Sequence, residues 1–308
     1  MTRSSLAIGA LVALASLAAG GDAAAYCRTT SCGQNGTGQK CNPQGPGDCG
    51  IELFWTSPCV GFSVQKDASK DVTFDTTEQV MATAFATWMN AACDGGGHPR
   101  IKVVELDSAS CSKHEYNQQK ANTNLIVYRD TAWPYEGSSS TLALTTVTYN
   151  LDTGEIYDAD MELNSADHHF TTDDVAVQYD LLSVITHETG HFLGLAHSAE
   201  SDATMFTDYK QGDKSLRDLT ADDIAGICAI YPPGAAIPPT CDPTPRHGFS
   251  PLCASEQPEP AGTGGSDGGT GGGCATASGG RTSGGEAFVA ALGLLGLAAR
   301  SRRPGRRR

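Results

Sequence analysis

The sequence THETGHFLGLAHS, residues 186–198 of a chain of 308 amino acids, carries three histidines in the spacing HExxHxxGxxH. Positions four apart lie on one face of a helix, so His187 and His191 share a face of the helix that we predict from about Asp180 to Leu193. Apolar residues fill the arc nearly opposite them. The pattern therefore predicts a helix that buries one face and presents two imidazoles on the other.

The three histidines have the composition of a zinc site. Two imidazoles on adjacent helical turns suit a tetrahedral zinc, whose bonds to nitrogen are about 2.0–2.1 Å long. Gly194 can take the left-handed conformation that ends a helix, which lets the chain fold back and bring His197 to the metal as third ligand. Three protein ligands leave the fourth position open to water, and an open position is typical of a catalytic zinc.

Glu188 follows the first histidine and borders the ligand face, which places it as the general base. Zinc lowers the pKa of its water ligand towards 7, and a neighbouring carboxylate can take the proton and deliver it to the leaving amine. The alternative is a surface helix with fortuitous histidines. From the composition of this chain an accidental HExxH is about a one-per-cent event, so that alternative survives only as a non-catalytic relative.

The sequence around this helix predicts an α+β domain over residues 51–233. One helix begins at Asp75, where Glu78 is placed for a capping box, and a third helix runs from Thr220 until Pro232 stops it. Short runs rich in β-branched and aromatic residues predict five strands, at 51–55, 101–106, 124–129, 142–149 and 155–164.

The chain resembles the metzincins, and within them the matrixins. The HExxHxxGxxH motif is followed by ATMFTDY, residues 203–209, which is similar to a turn that holds a methionine beneath the zinc, here Met205. Serine directly after the third histidine, Ser198, is matrixin-like, and so are residues 219–227 together with Tyr231.

The resemblance covers about residues 51–232. It implies an α+β metzincin fold, with a twisted, mostly parallel sheet, an antiparallel edge strand, an active-site helix and a Met-turn. It also implies a zinc-dependent endopeptidase in which residues 142–149 form the edge strand that pairs with an extended substrate. An ordinary core strand is the alternative for that segment.

The sequence GEIYDADME, residues 154–162, resembles the matrixin strand whose acidic residues bind calcium. Asp158, Asp160 and Glu162 offer the hard oxygen ligands that Ca²⁺ prefers. They are also alternate residues of a strand, and a solvated strand face explains them as well. Both interpretations stay open at this point.

Several features of related families are missing. The histidine and aspartate ligands of a second, structural zinc are absent from the loop 133–140, and His168 and His169 are misplaced to supply them, so we expect one Zn²⁺ and a solvated histidine pair. The cysteine-switch sequence PRCGxPD is absent too. Thr207 stands where astacins and serralysins have a tyrosine, so no tyrosine ligand is expected.

The cysteines and the ends of the chain indicate export. An apolar stretch that ends in small residues predicts a secretory signal peptide, and an oxidising compartment favours disulfides for the eleven cysteines. Spacing alone does not assign their pairs. The predicted layout is a signal peptide at 1–25, a Cys-rich extension at 26–50, the metallopeptidase domain at 51–233, a Pro/Gly-rich linker with a short cysteine loop at 234–273, and a tail at 274–308.

The tail resembles the MYXO-CTERM sorting signal, in which a Gly-Cys site precedes a hydrophobic helix and an arginine cluster. Here Gly273 and Cys274 precede the apolar stretch 287–299, and arginines follow it. The resemblance implies processing of the tail and retention at the cell envelope through Cys274. A plain tail anchor or a disordered basic end is the alternative.

Charge limits the class of partner. The chain has 35 Asp and Glu against 21 Lys and Arg, a formal net charge of −14, so nucleic acid is not expected as a partner. We expect a monomer that acts on a protein or peptide substrate. An adhesion or binding module of the same fold and an enzyme that acts on a non-protein amide are the competing functions, and the intact Glu188 favours an endopeptidase.

Overall fold

A computed structural model describes residues 26–31, 50–136, 140–258, 287–292 and 295–297. The predicted signal peptide, most of the Cys-rich extension, most of the linker and Cys274 with the arginine cluster lie outside the described residues. Their roles therefore stay predictions.

Helices and strands alternate along the described part of the chain. The helices are α1 Phe74–Met89, α2 Leu181–Phe192, α3 Ala221–Ile230 and a 3-10 helix Ser215–Arg217. The strands are β1 Cys27–Arg28, β2 Cys59–Val64, β3 Lys102–Glu105, β4 Leu125–Tyr128, β5 Ala143–Asn150, β6 Ile156–Leu163, β7 Phe170–Thr171, β8 Tyr179–Asp180, β9 Leu195–Ala196, β10 Asp208–Lys210, β11 Ala287–Leu292 and β12 Leu295–Leu297.

Five strands form the main sheet, and a sixth lies on its edge. The order is β11-β5-β6-β4-β2-β3, in which β3, β2, β4 and β6 run parallel and β5 runs antiparallel to β6. Helices α1 and α2 pack against each other and contact this sheet. The predicted α+β fold, with a mostly parallel sheet and an antiparallel edge strand, is therefore confirmed.

Helix α1 supplies the aromatic core between the sheet and α2. Its side chains Met81, Phe85 and Trp88 are buried, as their helical spacing predicts. Trp88 Nε1 also donates a hydrogen bond of 2.8 Å to the carbonyl of Thr186. This contact connects α1 to the helix that carries the histidines.

The start of α1 differs from the prediction. Thr73 is the N-cap residue, and its hydroxyl accepts a hydrogen bond of 3.3 Å from Thr76 N, so Asp75 lies inside the first turn. Glu78 is not a capping partner and faces Glu105 instead. Burial, followed by the charge of Glu78, raises the pKa of Glu105 to about 7.

Two strand assignments also differ from the sequence prediction. Residues 51–55 form only isolated bridges, through Glu52 and Phe54. The strand β2, which was not predicted, lies between β4 and β3 with all six residues buried. A strand covered on both faces has no alternation of polar and apolar residues, so its sequence CVGFSV carries no period-2 signal.

Two disulfides fasten the segment after α3 onto the domain. Cys59 bonds to Cys241 and Cys111 bonds to Cys253, with Cα–Cα separations of 5.7 and 4.6 Å. The predicted short cysteine loop between Cys241 and Cys253 is therefore wrong. The two cysteines are close in sequence, but each reaches a different strand or loop of the domain.

The other described cysteines are also oxidised. Cys93, in the loop after α1, bonds to Cys228 in α3 with a Cα–Cα separation of 5.7 Å. Cys27 of β1 is disulfide-bonded as well. All cysteines within the described residues are thus in disulfides, as export predicts.

The apolar stretch 287–299 does not form the predicted hydrophobic helix where it is described. Its residues form β11, beside β5, and β12, beside β10. A sheet edge offers unpaired N–H and C=O groups, and pairing with it also satisfies the backbone of the added segment. Of the helices in the described ranges, none has the length and apolar character that a bilayer crossing requires.

Candidate metal centre

Helix α2 is fixed at its start by a buried aspartate. Asp180 is the N-cap residue, and its Oδ2 accepts a hydrogen bond of 2.9 Å from Ser183 N. Arg217 forms an ion pair with the same carboxylate, which compensates its buried charge. The predicted helix is confirmed, and the capped and ion-paired Asp180 fixes the position of its first turn.

The three predicted ligands converge on one point. His191 Nε2 lies 3.1 Å from His187 Nε2 and 3.2 Å from His197 Nε2. Two nitrogen ligands of a tetrahedral zinc, with bonds of about 2.0–2.1 Å, stand about 3.4 Å apart. The spacing of the three nitrogens therefore fits a single zinc ion.

The second ring nitrogens select the tautomer that a metal needs. His187 Nδ1 lies 2.7 Å from the carbonyl oxygen of Thr204, and His191 Nδ1 lies 2.8 Å from that of Leu195. A carbonyl only accepts, so each Nδ1 carries the proton and each Nε2 keeps its lone pair. Burial, followed by the charge of His197, lowers the pKa of His187 to about 3, and burial with both neighbouring histidines lowers the pKa of His191, which favours neutral rings.

Gly194 makes the predicted turn after α2. Its φ is +100°, and a Cβ at this position would lie 2.7 Å from the carbonyl oxygen of Leu53, so both the conformation and the space require glycine. The chain then runs back as β9, which pairs antiparallel with β1. Thr29 Oγ1 donates a hydrogen bond of 3.0 Å to the carbonyl of Leu195. The segment that leads to His197 is thus held by the N-terminal strand.

Glu188 lies between His187 and His191 in the sequence and is fully buried. Thr145 of β5 donates a hydrogen bond of 2.5 Å from its hydroxyl to Glu188 Oε2. This hydrogen bond fixes the orientation of the carboxylate. Sequence reasoning missed Thr145, because a threonine in a strand gives no signal that it will face a distant helix.

Met205 packs against α2 at Gly190, which precedes His191. A Cβ at Gly190 would collide with the Met205 sulfur, so this approach requires glycine. Asp223 of α3 holds the methionine turn, because its two carboxylate oxygens accept hydrogen bonds of 2.8 Å from Thr204 N and 3.0 Å from Met205 N. The carbonyl that orients His187 is therefore anchored to a separate helix.

The sequence profile of the Matrixin family matches residues 54–232, a span that includes the histidines, the glutamate and the methionine turn. This chain belongs to the matrixin family. Among similar matrixins, Metalloendoproteinase 1-MMP of Arabidopsis thaliana is 38% identical over 108 residues, which cover 34% of this chain and 27% of that protein. Neutrophil collagenase of Homo sapiens is 39% identical over 90 residues, which cover 25% and 19%.

A longer match is found with Matrix metalloproteinase-C of Caenorhabditis elegans. It is 26% identical over 190 residues, which cover 60% of this chain and 30% of that protein. The matrixin chain described here therefore spans less than a third of each of these three relatives.

The acidic row on β6 of this matrixin is buried, so the predicted alternative of a solvated strand face is wrong. Asp158 and Asp160 are each 2% exposed and Glu162 is fully buried. Glu162 forms an ion pair with Arg129 and accepts a hydrogen bond from the Tyr135 hydroxyl. Its charge is therefore compensated by protein groups.

Asp158 and Asp160 line a cavity of about 260 Å³. Asp160 accepts hydrogen bonds of 2.7 Å from Leu125 N and 2.9 Å from Glu115 N, whereas Asp158 Oδ1 is buried with no hydrogen-bond partner among the described residues. Burial raises the pKa of Asp158, and it raises the pKa of Asp160 to about 8 despite the two hydrogen bonds. A cation in this cavity would offset that cost.

The histidine pair at 168 and 169 lies apart from the metal centre. His168 is buried and packs edge-on against the Tyr179 ring, with the ring centroids 4.9 Å apart. His169 is half exposed and lies 3.0 Å from an Asp71 carboxylate oxygen. The prediction of a solvated pair is therefore wrong for His168, because the loop folds back onto β8.

Proposed function

We propose that this matrixin is a secreted zinc-dependent endopeptidase that hydrolyses extended polypeptides. The observation that carries the proposal is the convergence of three histidine nitrogens beside the buried carboxylate of Glu188. One catalytic Zn²⁺ would be held by His187, His191 and His197. Three protein ligands leave a position for the reacting groups.

The protein supplies neutral, oriented ligands for this ion. When bound, zinc would polarise the peptide carbonyl as a Lewis acid and lower the pKa of water. The carbonyls of Thr204 and Leu195 hold the Nδ1 protons, so the Nε2 lone pairs are aimed inward by the fold itself. Metal affinity in this site therefore depends on the turns after α2 as well as on the helix.

Glu188 would act as the general base. Its carboxylate lies on the ligand helix and is oriented by the Thr145 hydroxyl at 2.5 Å. A carboxylate placed in this way takes the proton of the attacking water and passes it to the leaving amine. Thr145 is a positioning residue in this scheme, since it acts through Glu188.

The edge of the main sheet favours a polypeptide substrate. β5 is hydrogen-bonded to β6 on one side, and its residue Thr145 contacts Glu188. An extended peptide that takes the place of β11 on the other side of β5 would bring its backbone past the general base. Recognition through main-chain hydrogen bonds suits proteins and peptides better than small amides.

We place a structural Ca²⁺ at Asp158 and Asp160. Both carboxylates line one cavity, and calcium prefers such hard oxygen ligands. Glu162, the third predicted ligand, is engaged by Arg129 and would stay outside the site. The calcium would then stabilise the sheet beside β5 and take no part in the chemistry.

Secretion is supported by the disulfides, which persist in oxidising compartments. Retention at the cell envelope through Cys274, after processing of the tail, is the proposed destination. The acidic chain would act as a monomer on protein substrates and not on nucleic acid.

Metal analysis combined with cleavage assays tests this proposal. The purified full chain is dialysed extensively, its zinc is counted, and casein and a peptide library are offered as substrates. We expect one zinc per chain and cleavage of internal peptide bonds that stops with a chelator and returns with added zinc. Two zinc ions per chain, or a zinc-loaded chain that cleaves neither substrate, would contradict it.

A further inference from the structure

The end of α2 leads from the second proposed zinc ligand to the third, and its backbone carbonyls need hydrogen-bond donors from other parts of the chain. Trp55 Nε1 donates to the carbonyl of Phe192 at 2.8 Å, and the Tyr231 hydroxyl donates to that of Leu193 at 3.0 Å. Both donors lie inside the span 54–232 that matches the matrixin profile. The first part of this turn is therefore held by the matched domain.

The next two carbonyls accept hydrogen bonds from Thr29, a residue outside the matched span. Its backbone N–H donates to the carbonyl of Gly194 at 3.0 Å, and its hydroxyl donates to the carbonyl of Leu195 at 3.0 Å. Thr29 is 1% exposed and Leu195 is fully buried, so bulk water does not compete for these bonds. One threonine therefore fixes the backbone just before His197.

The Leu195 carbonyl also orients His191. Its oxygen lies 2.8 Å from His191 Nδ1, so it accepts one hydrogen bond from the imidazole and one from the Thr29 hydroxyl, which together use both lone pairs. The direction of this carbonyl sets the angle of the ring, and partners of the second ring nitrogen control metal affinity. The Thr29 hydroxyl thus acts on the second ligand through the Leu195 oxygen.

The third ligand depends on the same pairing. Strand β9 leads directly to His197 and pairs antiparallel with β1. In the described part of the chain, β1 is the only strand that pairs with β9. On the far side of the ligand, Ser198 N donates a hydrogen bond of 2.8 Å to the Met205 carbonyl. His197 is therefore held between the N-terminal strand and the methionine turn.

The N-terminal segment, residues 26–31, is itself fastened to the domain. The Thr29 carbonyl accepts a hydrogen bond of 2.8 Å from Leu53 N. Arg28 Nη2 donates to the Leu53 carbonyl at 3.1 Å, and the Arg28 guanidinium forms an ion pair with Glu52. These contacts place Thr29 without help from the histidines, so its hydroxyl is a fixed donor for the turn after α2.

We propose that Thr29 is a positioning residue of the zinc site, which sets the affinity for Zn²⁺ through the Leu195 carbonyl and the His191 ring. The proposal rests on the zinc site of the proposed function, and it adds a residue that the matrixin profile does not cover. Without the hydroxyl, the carbonyl is free to turn together with the ring. Loss of a partner that supports a metal ligand weakens metal binding about 10- to 100-fold, and the lower end applies here because Thr29 acts through a carbonyl.

Thr29→Val tests the proposal, because valine keeps the shape of threonine and removes the donor. The full chain is studied in a Glu188→Ala background, which prevents self-cleavage, and competition with a chromogenic chelator gives the dissociation constant of Zn²⁺. We expect this constant to rise about tenfold. Thr29→Ser keeps the hydroxyl and should stay within about threefold of the parent. Thr30→Val, the same change at the next, half-buried residue, is the matched control and should stay within about twofold.

Cobalt substitution separates positioning from a general loss of stability. Co²⁺ takes imidazole ligands as Zn²⁺ does, and its visible absorption reports the geometry of those ligands. We expect a changed spectrum in Thr29→Val and the parental spectrum in Thr29→Ser and Thr30→Val. A spectrum of Thr29→Val equal to that of the parent would overturn the proposal even if zinc affinity falls, and so would an unchanged zinc affinity.

Thr29→Ala is the second variant if circular dichroism shows that Thr29→Val does not fold. It removes the same donor without pressing a methyl group against the Leu195 carbonyl, and the same loss of zinc affinity is expected. Failure of both variants to fold would assign Thr29 to folding and overturn the positioning role. A parent chain that binds no zinc would reject the proposed zinc site itself. A parent that binds one zinc, with a Thr29→Val variant of equal affinity, would reject only the role of Thr29.

Discussion

Helix α2 and strand β6 each carry a row of buried side chains of the kind that binds metals, yet only the row on α2 leaves its available atoms turned towards one point. The rows are His187 and His191 on α2, with Glu188 next to the first histidine, and Asp158, Asp160 and Glu162 on β6. Both rows follow the period of their element, so spacing alone does not separate them. The difference lies in the atoms that neighbouring groups leave available.

On α2, backbone carbonyls take the Nδ1 protons and leave the Nε2 atoms, which meet the nitrogen of His197 within 3.2 Å. On β6, Arg129 and Tyr135 engage Glu162, and two backbone N–H groups engage Asp160. Buried ligand-type side chains therefore fit a single metal ion only where the available atoms share one point.

The largest contrast between the rows should appear when one carboxylate is removed from each. We expect Glu188→Ala to lower kcat/KM about 1000-fold with zinc still bound, because the general base is lost and every ligand remains. Glu162→Gln is the control from β6 and should keep activity within about threefold. The measurements are peptide cleavage and zinc content of each dialysed variant. Near-parental cleavage by the alanine variant would show that Glu188 is not the base.

The second prediction concerns the stability that the ion pair between Arg129 and Glu162 gives to the acidic row on β6. Arg129→Met leaves Glu162 buried without its cation, which should lower the free energy of unfolding by about 2–3 kcal/mol. Urea unfolding measures this, and the double variant with Glu162→Gln should recover part of the loss. An Arg129→Met protein as stable as the parent would mean that the Tyr135 hydroxyl and His114, whose Nδ1 lies 3.1 Å from Glu162 Oε2, suffice to compensate the charge.

The pH dependence of stability should also be opposite to that of a row of ordinary carboxylates. The folded pKa of Asp160 is about 8, above its unfolded value, so the folded state binds the proton more tightly. Stability is then greatest at low pH and falls as pH rises towards 8. In calcium-free buffer we expect a loss of about 1–2 kcal/mol between pH 5.5 and 7.5.

Asp160→Asn should reduce the slope of the unfolding free energy against pH, as measured by urea unfolding at several pH values. Part of the slope should remain, because the pKa of Asp158 is also raised by burial and that of Glu105 is raised to about 7, and both act in the same direction. Calcium should restore stability near pH 7.5 in the parent only. An unchanged slope in the asparagine variant would remove Asp160 as its source.

The smallest expected effect tests packing beneath the histidines. Met205→Leu conserves most of the volume of the side chain, so it should cost less than about 1 kcal/mol and leave the zinc content at one per chain. Gly190→Ala is the matched variant that adds volume at the same contact. Its Cβ would collide with the Met205 sulfur, so it should lower the free energy of unfolding by more than Met205→Leu does. Complete loss of zinc from the leucine variant would show that Met205 has another role.

Local signals predicted α2 closely and the first strands poorly. An N-cap aspartate, an apolar period and a terminal glycine all lie within the helix or next to it, and the structure has Asp180 as N-cap and Gly194 at the turn. The segment 51–55 has strand composition but few partners, and β2 has partners on both sides but no alternation. Strand formation depends on the neighbours that a strand finds, which composition does not report.

Spacing within a dozen residues was enough to predict that His187 and His191 share one face and that the chain turns at Gly194, because a helix repeats every 3.6 residues wherever it forms. The contacts between residues distant in sequence depend on how the sheet packs. Thr145 meets Glu188 across 43 positions, and Cys59 meets Cys241 across 182. Burial of the acidic row and the placement of β11 on β5 likewise need strands that are distant in the chain, and only their packing together brings such groups into contact.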